Sequence, residues 1–230
     1  HTFTVATTIG ALRAAAAFSE DFGEHSLASQ FREGAERMTT ALRRHLWNPE
    51  QNRFARNCPL LPDGTYKLDM TCDAANYSVF EFAGISPFDP MVEADMAAAK
   101  QRIGIKTDVG GYARYEHDYY HQVERDNIQL VPGNPWIICT LWRAQFIIQR
   151  AKSREEMQEA LELLQWCVKR ADKSGVLAEQ FHPYTGEPIS VSPLTWSHAT
   201  FVIVVVEYLR KLAEIGAGTR ARTGDAPGIE

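Results

Sequence analysis

Apolar residues recur at helical spacing in seven segments of this sequence, and the segments are of two kinds. Residues 2–22 set Val5, Ile9, Leu12, Ala16 and Ser19 among many alanines, a spacing that predicts a closely packed helix. Residues 25–47 place Leu27, Phe31, Ala35, Met38, Leu42 and Leu46 on one face, with Arg and Glu opposite. Gly23 between them predicts a tight helical hairpin. Further helices are predicted over 73–82, 90–103, 133–152, 154–172 and 193–215, with Arg53-Phe54-Ala55 as a short strand. Segments 2–22, 133–152 and 193–215 are apolar nearly all round, whereas 25–47 and 154–172 keep a charged face. An all-apolar helix needs neighbours on every side, and a one-sided helix borders water. Inner and outer helices in alternation suit a double ring, so the fold class is all-α with long irregular loops. One domain over 1–216 is expected, followed by a disordered tail over 217–230.

Charge and composition exclude several classes. A net charge of −5 leaves no basic surplus for phosphate neutralisation, which argues against nucleic acid as a partner. No window reaches the roughly 20 apolar residues of a membrane span. Phe201–Val206 is apolar but flanked by Trp196, His198, Glu207 and Arg210, so it reads as a buried helix. Cys58, Cys72, Cys139 and Cys167 lack metal-ligand spacing and read as thiols, with a Cys58–Cys72 disulfide as the alternative. The sequence begins at His1 without an initiator Met or a signal peptide, which reads as a processed or truncated product and leaves the compartment open.

Two stretches carry the chemistry. Gly175-Val176-Leu177-Ala178-Glu179-Gln180 leads through Thr185-Gly186-Glu187 to Pro193-Leu194-Thr195-Trp196-Ser197-His198. Pro183, Gly186 and Pro188 keep the interval irregular, so Glu179 sits on a short pinned loop between two helices. The second stretch is Gly110-Gly111-Tyr112-Ala113-Arg114-Tyr115-Glu116-His117-Asp118-Tyr119-Tyr120, followed by Gly133-Asn134-Pro135-Trp136-Ile137-Ile138-Cys139-Thr140-Leu141. Arg114 and Asp118 suit one another, because a neighbouring carboxylate holds a guanidinium in one rotamer. Taken alone, Glu179 is also an ordinary solvated loop residue, and Arg114 with Asp118 an ordinary loop salt bridge.

These blocks, in this order and spacing, resemble the C-terminal part of the glucoamylase family, glycoside hydrolase family 15, and the likeness extends more weakly over most of residues 1–215. The resemblance implies a partial (α/α)6 barrel, about seven of its twelve helices. It implies an α-glucoside or oligosaccharide substrate, inversion at the anomeric carbon, and no cofactor or metal. It assigns the general base to Glu179, with Gln180 either supporting it or donating to a sugar hydroxyl. Arg114 matches the family's sugar-binding arginine and Asp118 its support, with Tyr115 beside them. Trp136 is read as a stacking platform or as helix core. Trp196 and His198 stand at the same mouth, His198 either as a structural hydrogen bonder or touching substrate. Asp69 and Asp73 read as a loop residue and a cap.

The family's general acid lies in a Trp-Glu-containing loop just before a helix that begins like Thr2-Phe3-Thr4-Val5. It is therefore expected upstream of His1, together with the N-terminal half of the barrel as this chain's partner. The 230 residues alone are then expected to be inactive. Residues 121–132 are a longer polar run than the fungal members carry, which bears on where Trp136 lies. A trehalase of the same family, and a non-catalytic helical carbohydrate- or protein-binding domain, remain as alternatives.

Overall fold

A computed structural model describes residues 1–223, with side chains through residue 217. The chain divides into two compact units. One comprises His1–Gly104 with Arg114–Asp118, and the other comprises Ile105–Ala113 with the chain from Tyr119 onward.

In the first unit, α1 (Thr2–Asp21) and α2 (His25–His45) pack along their length. Gly23 makes the turn at φ 76, and the Glu24 N–H closes it onto Ser19. Ala6, Ile9 and Ala16 of α1 and Ala28, Ala35 and Leu42 of α2 are buried. The buried stripe of α2 begins at Ala28, whereas Leu27 is 41% exposed. Asn48 accepts from the Glu50 and Gln51 N–H groups, and that turn pairs β1 (Trp47–Asn48) with β2 (Arg53–Phe54). The segment expected as one helix over 73–82 is a 3-10 turn, Ala74–Tyr77, running into α3 (Ser78–Glu81). Asp73 caps it by accepting from the Ala75 N–H at 2.8 Å. Asp89 caps α4 (Pro90–Ile103) in the same way, with Pro90 in the first turn.

In the second unit, α5 (Ile137–Arg150) is buried on most of its circumference, and α6 (Gln158–Val168) and α7 (Thr195–Thr223) pack against it. Ile137, Leu141, Ala144, Ile148, Met157, Leu164, Phe181 and Val204 form that core. Each helix departs from its expected bounds for a local reason. Pro135 disfavours a helical Asn134, so residues 133–136 stay extended and α5 starts at Ile137. Residues 153–157 are turns, with Glu156 accepting from the Lys152 N–H, so Glu159 is the acid left in the first turn of α6. After Pro193, α7 starts at Thr195 and runs through Gly216 to Thr223, past the expected end at residue 215. Of the expected tail, residues 224–230 lie outside the described residues. Val202, Ile203, Val206 and Leu209 of α7 are 39–60% exposed, so this helix is not enclosed as its composition suggests.

A small antiparallel sheet of two-residue strands, β3 (Tyr112–Ala113), β4 (Pro135–Trp136), β5 (Gln180–Phe181) and β6 (Pro188–Ile189), crosses this unit in sequential order. Among the described residues the four cysteines are free thiols, and burial pushes Cys167 up to about 12. The alternative Cys58–Cys72 disulfide is absent because Cys72 is buried as a thiol, its ionisation further opposed by Asp95 and Glu116. No helix among the described residues is long and apolar enough to cross a membrane.

Candidate active site

Glu179 stands in a segment whose backbone is hydrogen-bonded residue by residue. Asp172 turns the chain at the end of α6, its carboxylate accepting from the N–H groups of Ser174 and Val176. Gly175 adopts φ 83 within that turn. The next residues are fixed one after another. Leu177 donates to the Nε2 of His198 at 3.0 Å and accepts from the Leu194 N–H at 3.1 Å. The Ala178 carbonyl accepts from the Ser197 hydroxyl at 2.9 Å. Glu179 donates to the Val191 carbonyl at 2.9 Å and accepts from the Ile137 N–H at 3.2 Å. Gln180 then enters the sheet, opposite Trp136 on one side and Ile189 on the other.

The half-buried Glu179 carboxylate is held through one oxygen. Its Oε2 accepts from the Ser190 hydroxyl and, at 3.3 Å, from the Gln180 amide. Oε1 accepts no hydrogen bond among the described residues. Ser190 has φ 67, a conformation costly for a residue with a side chain. Gln180 is fully buried, and its Oε1 accepts from the Asn134 amide at 2.8 Å. That amide also donates to the His121 carbonyl at 2.8 Å, so the run over 121–132 is tied to Gln180 through one buried asparagine. The Gln180 side chain thus lies between Glu179 and Asn134. Neither Ser190 nor Asn134 was singled out from sequence.

Trp136 is 3% exposed and lies in β4 rather than in α5, its ring 6.1 Å from that of Tyr120. Trp196 is 50% exposed, with its ring 5.8 Å from that of Trp142. The Nε2 of His198 accepts from the Leu177 N–H.

In the first unit, Arg114 and Asp118 form a two-pronged pair, Nε to Oδ2 at 2.8 Å and Nη2 to Oδ1 at 2.7 Å. Asp118 is 1% exposed, while a third of the Arg114 side chain remains open. The guanidinium of Arg114 lies 4.9 Å from the Tyr115 ring centre and that of Arg56 lies 4.0 Å from it. Burial and the Asp118 charge push the Tyr115 phenol up. Asp73 is more than a cap: its Oδ2 lies 2.9 Å from Arg56, and burial pushes its carboxyl up. Asp69 accepts from the Thr71 N–H and the Asn57 amide, as a loop residue does. Asp95, which accepts from the Phe54 N–H, is pushed by burial to about 7. No group of three or more His, Cys, Asp or Glu among the described residues is disposed to hold a metal ion.

Known proteins share this architecture. The chain is 27% identical over 219 residues to an uncharacterized glycosyl hydrolase of Methanocaldococcus jannaschii, covering 89% of this chain and 32% of that protein. A bacterial glucoamylase complexed with acarbose superposes with a TM-score of 0.75 at 20% identity, covering 92% of this chain and 34% of the other. The glucoamylase of Saccharomycopsis fibuligera gives a TM-score of 0.71 at 18% identity, covering 93% and 56%. The fold is therefore that of the glucoamylase (α/α)6 barrel, of which this chain makes up a part. Residues 1–206 match the family profile of the glycosyl hydrolases family 15, and the chain belongs to that family.

Proposed function

We propose that these residues supply the general-base side of an exo-acting, inverting α-glucoside hydrolase of glucoamylase type, with Glu179 as the base. The observation that carries the reading is the one-sided hold on Glu179. Ser190 and Gln180 fix Oε2 and leave Oε1 open to a water. In an inverting hydrolase the base takes a proton from water as its oxygen bonds to the anomeric carbon. In the same displacement the bond to the leaving oxygen breaks, and a carboxylic acid about 6.5–9.5 Å from the base protonates that oxygen as it departs. Arg114, locked in one rotamer by Asp118 with a third of its side chain open, is the residue we assign to the sugar hydroxyls.

The chain spans 32% of the curated relative and 34% of the bacterial glucoamylase, so the acid is assigned to family sequence outside these 230 residues. The isolated chain is accordingly expected to hydrolyse maltose poorly. The test is Glu179→Gln in the full-length protein, which keeps shape and one carbonyl oxygen but removes the basic carboxylate. Turnover of maltotriose should fall about 10²-fold or more, the scale of lost general-base help, with a smaller change in KM. In the unmutated protein the first glucose released should be the β-anomer, read by NMR before mutarotation. Near-normal turnover in Glu179→Gln would refute the assignment of the base, and α-glucose as first product would refute inversion.

A further inference from the structure

We infer that His198 is a positioning residue for the reaction, holding Glu179 in place through the backbone of Leu177; this rests on the reading of Glu179 as the base. The hydrogen bond runs from the Leu177 N–H to the ring Nε2 at 3.0 Å, so Nε2 is the unprotonated nitrogen of the imidazole. Leu177 is 4% exposed, and loss of the acceptor deprives its N–H of the hydrogen bond that it makes here. Leu194, just before α7, and Ser197 and His198 in its first turn make three contacts with the loop leading to Glu179. His198 accepts from Leu177, the Leu194 N–H donates to the Leu177 carbonyl, and Ser197 donates to the Ala178 carbonyl. Two of the three end on Leu177, two residues before the carboxylate. Of the three, the contact made by His198 is the one in which an α7 side chain is the acceptor.

The geometry distinguishes this role from sugar binding. A residue that touches substrate spends its polar atoms on the ligand, whereas the Nε2 of His198 is committed to the backbone. Displacement of the Leu177–Glu179 segment moves Oε1 relative to the attacking water, and positional errors near 1 Å cost up to about 10²-fold in rate. The consequence falls on kcat, with KM spared.

Two amide replacements in the full-length protein separate reach from polarity. In His198→Gln the side-chain oxygen reaches the position of Nε2 and accepts the Leu177 N–H. In His198→Asn the oxygen falls one methylene short. With maltotriose, His198→Asn should lose about tenfold in kcat with KM within about twofold, while His198→Gln recovers most of the loss. Added to Glu179→Gln, His198→Asn should remove no further activity, because the residue it positions has already lost its function. Urea unfolding of each variant separates these effects from loss of the folded state. Equal impairment of the two amides, a change confined to KM, or full additivity with Glu179→Gln would overturn the role of His198. If Glu179→Gln is impaired and His198→Asn is not, the base stands and only this inference falls. If Glu179→Gln retains turnover, the base reading itself falls.

Discussion

Asp118 and Glu179 are both carboxylates of proposed function, but Asp118 is 1% exposed against a two-pronged guanidinium, whereas Glu179 is half-buried against a hydroxyl and an amide. The surroundings differ in the same way. In the first unit Arg53, Arg56, Arg102 and Arg114 pair with Glu116, Asp73 and Asp118. In the second, Glu179 has no cation paired to it among the described residues. The contrast matches what each group is proposed to do. A carboxylate that anchors an arginine should stay ionised, and a full opposite charge secures that. A base must gain a proton during the reaction, so neutral donors that fix its direction without holding its charge suit it better.

The largest expected effect tests the charged side. Asp118→Ala takes the buried partner from Arg114 and should cost about 2–4 kcal/mol of stability by urea unfolding. That is below the cost of breaking a fully enclosed pair, because a third of Arg114 is open to solvent. A loss under about 0.5 kcal/mol would show that the pair is not structural and would dissolve the comparison.

A pH series sharpens it. The folded-state value of Asp95, about 7, lies above the ordinary carboxylate range, so between those values the native state holds a proton that the unfolded chain releases. Stability from this group is complete below pH 4 and declines as pH rises through 7. From pH 5 to pH 8 the decline should be about 2–3 kcal/mol, and Asp95→Asn should flatten it. Parallel pH profiles for the two proteins would remove Asp95 from the account. Smallest is Ser190→Ala. Alanine at the same positive φ carries similar backbone strain, so the substitution isolates the hydroxyl. Stability should change by less than about 1 kcal/mol, while turnover falls about three- to tenfold as Oε2 loses the Ser190 hydroxyl. A stability loss as large as that of Asp118→Ala would show that the neutral cradle is structural too.

The helices were legible because burial imposes a period on many residues at once, and each of the seven expected segments contains a helix among the described residues. Their ends were less so. Nothing in the period told that Glu155 and Glu156 lie in turns before α6 rather than in its first turn. The sheet was not legible at all, since two residues give no alternation to read and two of its strands contain a proline. Glu179 and Gln180 stood out as a motif, and Arg114 with Asp118 by spacing. Ser190 did not, because what places its hydroxyl on Glu179 is a positive φ between strand and helix, and serine has no sequence signature for that. Asn134 lay in a quoted motif, but its partners are 13 and 46 residues away, beyond any local pattern.

The sheet beside Glu179 bears on the order in which the chain acquires its structure. Helix pairs such as α1 with α2, or α5 with α6, close short loops and can form from local segments. The strands Tyr112–Ala113, Pro135–Trp136, Gln180–Phe181 and Pro188–Ile189 must be gathered from across the second unit, and each contributes only two residues in return. Loop closure therefore comes before most of the reward, which sets this sheet late in folding. The strand that fixes Gln180, and with it Glu179, becomes ordered only after α5, α6 and α7 have made the surface on which it rests. A nascent or partly folded chain thus displays helices well before it displays a directed carboxylate, and a circular dichroism signal recovered on refolding would precede recovery of the site.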